Sequence, residues 1–182
     1  TYIMNSKDFR AVEHVQRLVE IGVDCLKIEG RTKSHYYTAR TTQVYRQAIA
    51  DALSGNPFDP GLMTELEGLA HRGYTDGFFQ RHQTQELQNY RESASRSGRR
   101  QFVAEVTGYE SGSGYAVLEV KNKLRVGDRL ELFTPAGNLG FRLEHMEDLD
   151  GEPMGEAPGG GYRVKIPSPI GDPGMGLIAR VL

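Results

Sequence analysis

The sequence has little cysteine and no long apolar run, and each absence excludes classes of protein. Of 182 residues only Cys25 is a cysteine, so the chain forms no internal disulfide and completes no cysteine-based metal site alone. No apolar stretch approaches the roughly 20 residues of a membrane span, and the first residues lack a signal-peptide pattern. We therefore predict a cytoplasmic protein with no membrane attachment, and expect this chain to be the C-terminal part of a longer one.

A strong excess of either charge is also missing. Residues 1–100 carry 14 Lys+Arg against 12 Asp+Glu, whereas residues 101–182 carry 8 against 12. Neither half has the basic balance of a dedicated nucleic-acid binder, so any RNA contact must come from a local patch. The hydrophobic fraction of 38% is ordinary for a folded soluble chain and excludes disorder.

The first half of the chain has the pattern of an α/β domain. We predict a helix beginning at Asn5 or Ser6 and ending at Gly22, because Phe9, Val12 and Val15 recur at helical spacing. Residues 23–29 then read as one strand. A long helix is expected over residues 34–53, and Asp59-Pro60 marks the start of a shorter one.

The second half changes to a period of two, which is typical of strands. We predict six short strands and glycine-rich hairpin turns, and hence a small six-stranded β-barrel. The polar segment before it reads as a linker, so the domains are predicted at residues 1–90 and 101–182 with a linker at 91–100. The strands are expected at residues 102–109, 115–120, 129–134, 139–146, 162–166 and 176–182, and the turns at 112–114, 135–138 and 159–161.

One group of residues has the composition of a catalytic or ligand site. Alternation along strand 23–29 places Lys27 and Glu29 on one face at its carboxyl end, where parallel α/β barrels collect functional groups. Arg31 and Lys33 follow at a helix N-terminus and suit an anionic ligand, while Lys27 and Glu29 would position it or exchange protons. The alternative is a buried Lys27–Glu29 ion pair with Arg31 and Lys33 solvated. Cys25 is expected in the core.

Two further segments offer weaker candidates. His71 and Arg72 could fold over the site and bind an anion, but a helix C-cap with a plug formed by Tyr74, Phe78 and Phe79 is the favoured interpretation. The linker residues Arg91, Arg96, Arg99 and Arg100 would either follow an RNA backbone or simply be solvated. The histidines lack a metal-binding spacing, so we predict no metal site.

Several stretches together resemble one known family. They are Met4-Asn5-Ser6-Lys7-Asp8, Leu26-Lys27-Ile28-Glu29-Gly30-Arg31-Thr32-Lys33-Ser34, Tyr37, Tyr45-Arg46 and His71-Arg72-Gly73-Tyr74. The pattern resembles the collagenase-like U32 peptidases. Within that family it is most similar to the branch that hydroxylates the wobble uridine of tRNA, with prephenate as the hydroxyl source and an iron-sulfur cluster as cofactor.

The resemblance implies a fold and ligands for each half of the chain. Residues 1–90 would be the last segment of a TIM-like (β/α) barrel whose cluster cysteines lie upstream, so this fragment alone is expected to be inactive and to hold no cofactor. Lys27, Arg31 and Lys33 would suit either prephenate, a small dicarboxylate, or tRNA. Residues 124–132 and 135–137 are similar to the second-domain β-barrels of translation elongation factors.

Three functional hypotheses remain open at the level of sequence. The first is an RNA-modifying enzyme, and the second takes the family's name literally as a protease. The third is a non-catalytic β module, residues 101–182, that binds RNA or a protein partner. Oligomeric state is not determined by the sequence.

Overall fold

A computed structural model describes residues 7–69, 71–77, 79 and 100–182. Contacts divide the chain into two compact units, Thr1–Gly98 and Arg99–Leu182. Of the segment 91–100 predicted as a linker, all but Arg100 lies outside the described residues, and Arg100 is the first residue of a strand. Within the described residues, no helix combines the length and apolar character needed to span a bilayer.

The first unit packs three helices beside a short parallel strand pair. The parallel ladder joins Asp8 to Tyr74 and Phe9 to Thr75. Val12, Val15 and Leu66 are buried between these elements. The elements are β1 (Asp8–Phe9), a 3₁₀ turn (Val12–His14), α1 (Val15–Glu20), α2 (His35–Leu53), α3 (Gly61–Glu67) and β2 (Tyr74–Thr75).

The predicted start of the first helix is wrong. Asn5 and Ser6 lie outside the described residues, and the chain at Asp8–Phe9 is a strand. The Asp8 amide donates to the Gly73 carbonyl at 2.8 Å, a tertiary hydrogen bond that overrides the local helical pattern. Phe9 is accordingly 60% exposed rather than in the core, and the helical turns begin only at Val12.

The strand predicted at residues 23–29 is also wrong. The segment is irregular, because a β-strand needs a neighbouring strand to satisfy its backbone and no described residue pairs with it in a ladder. Its side chains still alternate: Leu26 and Ile28 are half-buried, whereas Lys27 and Glu29 are exposed. Cys25 is exposed, which contradicts its predicted core position.

The other two predicted helices are confirmed, and α2 has the expected N-cap. Ser34 accepts a hydrogen bond from the Tyr37 amide at 3.2 Å and begins α2. Gly55 follows the end of α2 with a φ of 73°, a conformation that glycine adopts without strain. Asp59 Oδ1 accepts a hydrogen bond from the Gly61 amide at 2.8 Å, but α3 begins at Gly61 with Pro60 as its N-cap, one residue later than predicted.

The second unit is a six-stranded antiparallel sheet, which confirms the six predicted strands. Its order is β6-β5-β8-β3-β4-β7. The turn at 112–114 joins β3 to β4, as predicted, whereas the turn predicted at 135–138 joins β5 to β6 through residues 135–136 alone, because Gly137 and Asn138 belong to β6. The strands are β3 (Arg100–Glu110), β4 (Tyr115–Arg125), β5 (Arg129–Thr134), β6 (Gly137–Arg142), β7 (Glu156–Pro167) and β8 (Leu177–Val181).

One apolar core fills the inner face of this sheet. Leu118, Leu130 and Ile178 are among its fully buried side chains. The two edge strands are β6 and β7, and Glu147, five residues beyond β6, bridges to Lys165 of β7 through backbone hydrogen bonds of 3.0 and 2.8 Å. The chain thereby connects the two edges of the sheet around the core.

The glycines at 159–161 do not form the predicted hairpin turn. They lie inside β7, with φ values of 100°, 70° and 89°. The register with β4 shifts there, from Val120 opposite Tyr162 to Asn122 opposite Gly159. Glycine is required because this β-bulge needs positive φ, which other residues adopt only with strain.

The first unit therefore combines helices with a short parallel strand pair, and the second unit is an antiparallel sheet. The closed TIM-like barrel and the similarity to elongation-factor barrels stay predictions.

Candidate functional site

The first unit contains a cleft of about 310 Å³ that includes part of the predicted site. Lys27, Glu29 and Lys33 line it, whereas Arg31, His71 and Arg72 are not among its lining residues. The other polar lining residues, which the sequence interpretation did not assign to a site, are Asp8, Arg10, Tyr37, Thr41, Tyr45 and Tyr74. Apolar side chains, including Leu18, Leu26, Ile28 and Leu66, complete the walls.

Asp8 organises the cations at one wall of the cleft. Its Oδ2 accepts a hydrogen bond from Lys33 Nζ at 2.6 Å and another from the Arg72 amide at 3.2 Å. The Arg72 guanidinium lies 3.7 Å from Oδ1. The side chains of Asp8 and Lys33 are only 10% and 13% exposed. Lys33 is therefore neutralised by Asp8, so it fixes the wall of the cleft rather than offering a free charge to an anion.

Lys27 and Glu29, which line the cleft, form an exposed charged group with Arg31, which does not line it. Glu29 lies between the two cations, with Lys27 Nζ 3.7 Å from Oε2 and Arg31 Nη2 3.5 Å from Oε1. Lys27 and Arg31 are 84% and 85% exposed, so the predicted alternative of a buried ion pair does not hold. Two cations share one carboxylate, which leaves this group a net positive charge available to an anionic ligand.

Three tyrosines line the interior of the cleft. Burial is the main cause that raises the pKa of Tyr37, Tyr45 and Tyr74 above the ordinary tyrosine value. Tyr74 donates its hydroxyl to the Leu66 carbonyl at 2.9 Å, and Tyr45 accepts from the Ala11 amide at 2.8 Å. These phenols are neutral hydrogen-bonding groups at physiological pH.

Cation–π contacts hold two of these rings in place. The Lys33 ammonium lies 4.9 Å from the centre of the Tyr37 ring, and the Arg10 guanidinium lies 4.9 Å from the centre of the Tyr74 ring. Arg10 is also paired with Glu67 at 3.3 Å. The cleft is therefore preorganised by residues on β1, α2, α3 and β2.

His71 has a local structural role. Its Nδ1 accepts a hydrogen bond from the Gly73 amide at 2.9 Å, and its ring stacks on Tyr74 with centroids 4.3 Å apart. Gly73 has a φ of 85°, as a turn requires. The predicted helix C-cap is not found here, because α3 ends at Glu67 with Gly68 as its C-cap, five residues before Gly73. Tyr74 of the predicted aromatic plug stacks on His71, whereas Phe79 is 47% exposed. Phe78, part of that predicted plug, lies outside the described residues.

Glu13, His14 and Asp76 form a second polar cluster that sequence spacing did not reveal. His14 Nε2 lies 3.4 Å from Asp76 Oδ2 and 3.8 Å from Glu13 Oε1. Their potential ligand atoms all lie within 4.8 Å of one another. Arg10 is 3.7 Å from the other Glu13 oxygen, so a cation of the protein already balances part of this charge.

The residues of this chain do not fit an iron-sulfur cluster. Such a cluster needs several thiolate ligands, and the chain has one cysteine, the exposed Cys25. Any cluster ligands must therefore come from outside this sequence.

Comparison with known proteins identifies the family. The profile of Peptidase family U32 matches residues 1–89, and that of the Peptidase family U32 C-terminal domain matches residues 98–180. The chain belongs to peptidase family U32. The family predicted from the sequence motifs is thus confirmed.

Relatives within the U32 family carry two kinds of name. "tRNA hydroxylation protein P" of Escherichia coli K12 is 60% identical over 93% of this chain and 37% of its own length. "tRNA hydroxylation protein P1" of Bacillus subtilis 168 is 32% identical over 86% of this chain and 38% of its own. "Collagenase" of Porphyromonas gingivalis is 26% identical over 91% and 46%. The chain therefore spans less than half the length of these U32 relatives.

Proposed function

We propose that this U32 protein acts in the hydroxylation of tRNA, at the wobble uridine. The observation that carries the proposal is the 60% identity, over 93% of the chain, to a protein named for tRNA hydroxylation. Relatives named collagenase are similar at 26% identity, so the protease hypothesis has the weaker support.

The cleft suits a small anionic co-substrate. Lys27 and Arg31 are exposed and share Glu29, a residue of the cleft wall, so an incoming carboxylate would form charge-assisted hydrogen bonds with groups that are not fully neutralised. Apolar walls and neutral tyrosine hydroxyls would then contact the body of the molecule. Prephenate, a dicarboxylate whose carbon ring bears a hydroxyl group, has this chemistry and is our proposed hydroxyl source.

The four cations near the cleft have two different roles in this proposal. Lys27 and Arg31 bind the carboxylate, and Glu29 orients Lys27 or exchanges a proton with the ligand. Lys33 and Arg72 act through Asp8, so they position the cleft wall and do not touch the ligand. His71 fixes the turn that presents Tyr74.

Nucleoside analysis of tRNA tests the proposed activity. tRNA from a host that lacks the gene should lose the hydroxylated wobble uridine, and the intact protein should restore it. Unchanged nucleosides in the deletion strain would contradict the proposal. Cleavage of gelatin by the purified intact protein would instead support the protease.

A second host tests the hydroxyl source. In a strain unable to make prephenate, the intact protein should leave the wobble uridine unhydroxylated until prephenate is supplied. Full hydroxylation without prephenate would reject prephenate while leaving tRNA hydroxylation in place.

A further inference from the structure

Two arginines of the second unit lie directly opposite each other on neighbouring strands. Arg129 is the first residue of β5, and its register partner on β6 is Arg142. Like charges in this arrangement destabilise a strand pair. A sheet that keeps such a pair without compensation loses stability, so the pair calls for an explanation.

Both arginines point away from the core. The adjacent cross-strand pair is Leu130 and Phe141, of which Leu130 is fully buried and Phe141 packs against the core. Side chains alternate along a strand, so Arg129 and Arg142 lie together on the outer face. Both are exposed.

No acidic group of the described chain compensates this pair. Among residues 100–182, neither Arg129 nor Arg142 forms an ion pair, because the acidic groups beside them bind other cations. Asp128 lies 3.6 Å from Arg180, and Glu131 lies 2.5 Å from Arg100. The charge of the opposed arginines is therefore open to an external anion.

Two glycines beside the pair leave space for a ligand to approach, because they carry no side chain that would block it. Gly140 stands opposite Glu131, and an added Cβ there would meet nothing within 4 Å. An added Cβ at Gly127 would lie 4.0 Å from an Arg142 nitrogen, so the guanidinium extends across a residue without a side chain. Glycine on both sides leaves the two guanidinium groups unscreened.

We propose that Arg129 and Arg142 together bind a phosphate group of the RNA backbone. A phosphate between two guanidinium groups accepts paired hydrogen bonds and removes their repulsion. This inference rests on the proposed function, since it takes tRNA as the polyanion. The contact reads backbone charge and not base sequence, so it contributes affinity and orientation.

The charge distribution of the unit favours an oriented RNA contact. Residues 101–182 have 12 acidic against 8 basic side chains, so the two arginines are a local exception. The acidic residues concentrate after β6, where residues 144–156 contain Glu144, Glu147, Asp148, Asp150, Glu152 and Glu156. That segment repels a polyanion, whereas the arginine pair attracts it.

The test compares tRNA binding by three forms of the intact protein: wild type, R129Q/R142Q and the control R163Q. Arg163 is also exposed on this sheet, but its register partner is Glu119 rather than a cation. Fluorescence anisotropy over a salt series should show several-fold weaker binding by R129Q/R142Q and a salt slope shallower by about one. R163Q should bind like wild type, and the thermal midpoint of R129Q/R142Q should not fall.

Failure of this inference is distinguishable from failure of the proposed function. If wild type binds tRNA and R129Q/R142Q binds with the same affinity and salt slope, the arginine pair is not the contact. An equal loss of tRNA affinity in R163Q would also contradict the proposed site, because removing any exposed arginine of this sheet would then weaken binding. If wild type shows no salt-dependent tRNA binding, the proposed function fails as well.

Discussion

Asp8 accepts a hydrogen bond from Lys33 at 2.6 Å, although 25 residues separate them along the chain. The pair links β1 to the turn before α2, and the Arg72 amide joins the same carboxylate from the segment before β2. One nearly buried carboxylate thus connects three parts of the first unit and fixes a wall of the cleft.

Replacing Asp8 by asparagine should destabilise the first unit by about 3 kcal/mol. The substitution keeps the shape of the side chain but removes the carboxylate charge that lies 2.6 Å from the Lys33 ammonium, which is itself only 13% exposed. Urea unfolding of the intact protein measures the effect. The matched control is Glu67→Gln, which removes one carboxylate partner of Arg10 at a 57% exposed site, leaves Glu13 in place and should cost less than about 1 kcal/mol. Equal midpoints for both variants would refute the assigned role of Asp8.

Gly159→Ala should destabilise the second unit by about 1 to 3 kcal/mol. The residue has a φ of 100°, and a Cβ there would lie 3.1 Å from the backbone of Lys121 and Asn122. Gly140→Ala in the same sheet is the control, since its added methyl group meets nothing within 4 Å. Thermal unfolding of both variants measures the difference. A Gly159→Ala protein as stable as Gly140→Ala would show that the bulge does not require glycine.

The buried tyrosines should make the first unit sensitive to alkali. Burial raises the pKa of Tyr37, Tyr45 and Tyr74 in the folded state above the unfolded value of about 10. The folded state then holds more protons than the unfolded state, so stability is complete below pH of about 10 and falls as pH rises above it.

Difference spectroscopy checks whether folding raises the pKa of the Tyr74 phenol. The phenolate absorbance of wild type minus that of Tyr74→Phe isolates one phenol, and its midpoint should lie at higher pH in the folded protein than in urea. Identical midpoints in the two solvents would mean that the Tyr74 ring is not buried as described.

The sequence predicted those features that depend on local signals. Ser34 caps α2 through an amide three residues away, and the six strands of the second unit follow their own alternation. Glycine-rich turns were predicted by composition, which succeeded at 112–114 but failed at 159–161, because a strand bulge and a turn both need positive φ.

Features that depend on distant residues were missed. Nothing near Asp8 indicates that it binds Lys33, or that the Asp8 backbone pairs with Tyr74. The same limit explains the wrong strand at 23–29, since alternation places Leu26 and Ile28 inward but does not supply a pairing partner. The sequence indicated which charged residues could form the site. It could not indicate that Asp8 neutralises Lys33 while Lys27 stays exposed, because that difference depends on tertiary contacts.

The most direct test of the account replaces the two exposed cations that share Glu29. The Lys27→Ala/Arg31→Ala form of the intact protein should fold normally and leave wobble uridine unhydroxylated in tRNA from the deletion host. The control Arg17→Ala removes a similarly exposed arginine whose partner is Glu20, away from the cleft, and should restore the modification fully. Hydroxylated uridine at wild-type levels with the double variant would contradict the central claim that these cations serve the reaction.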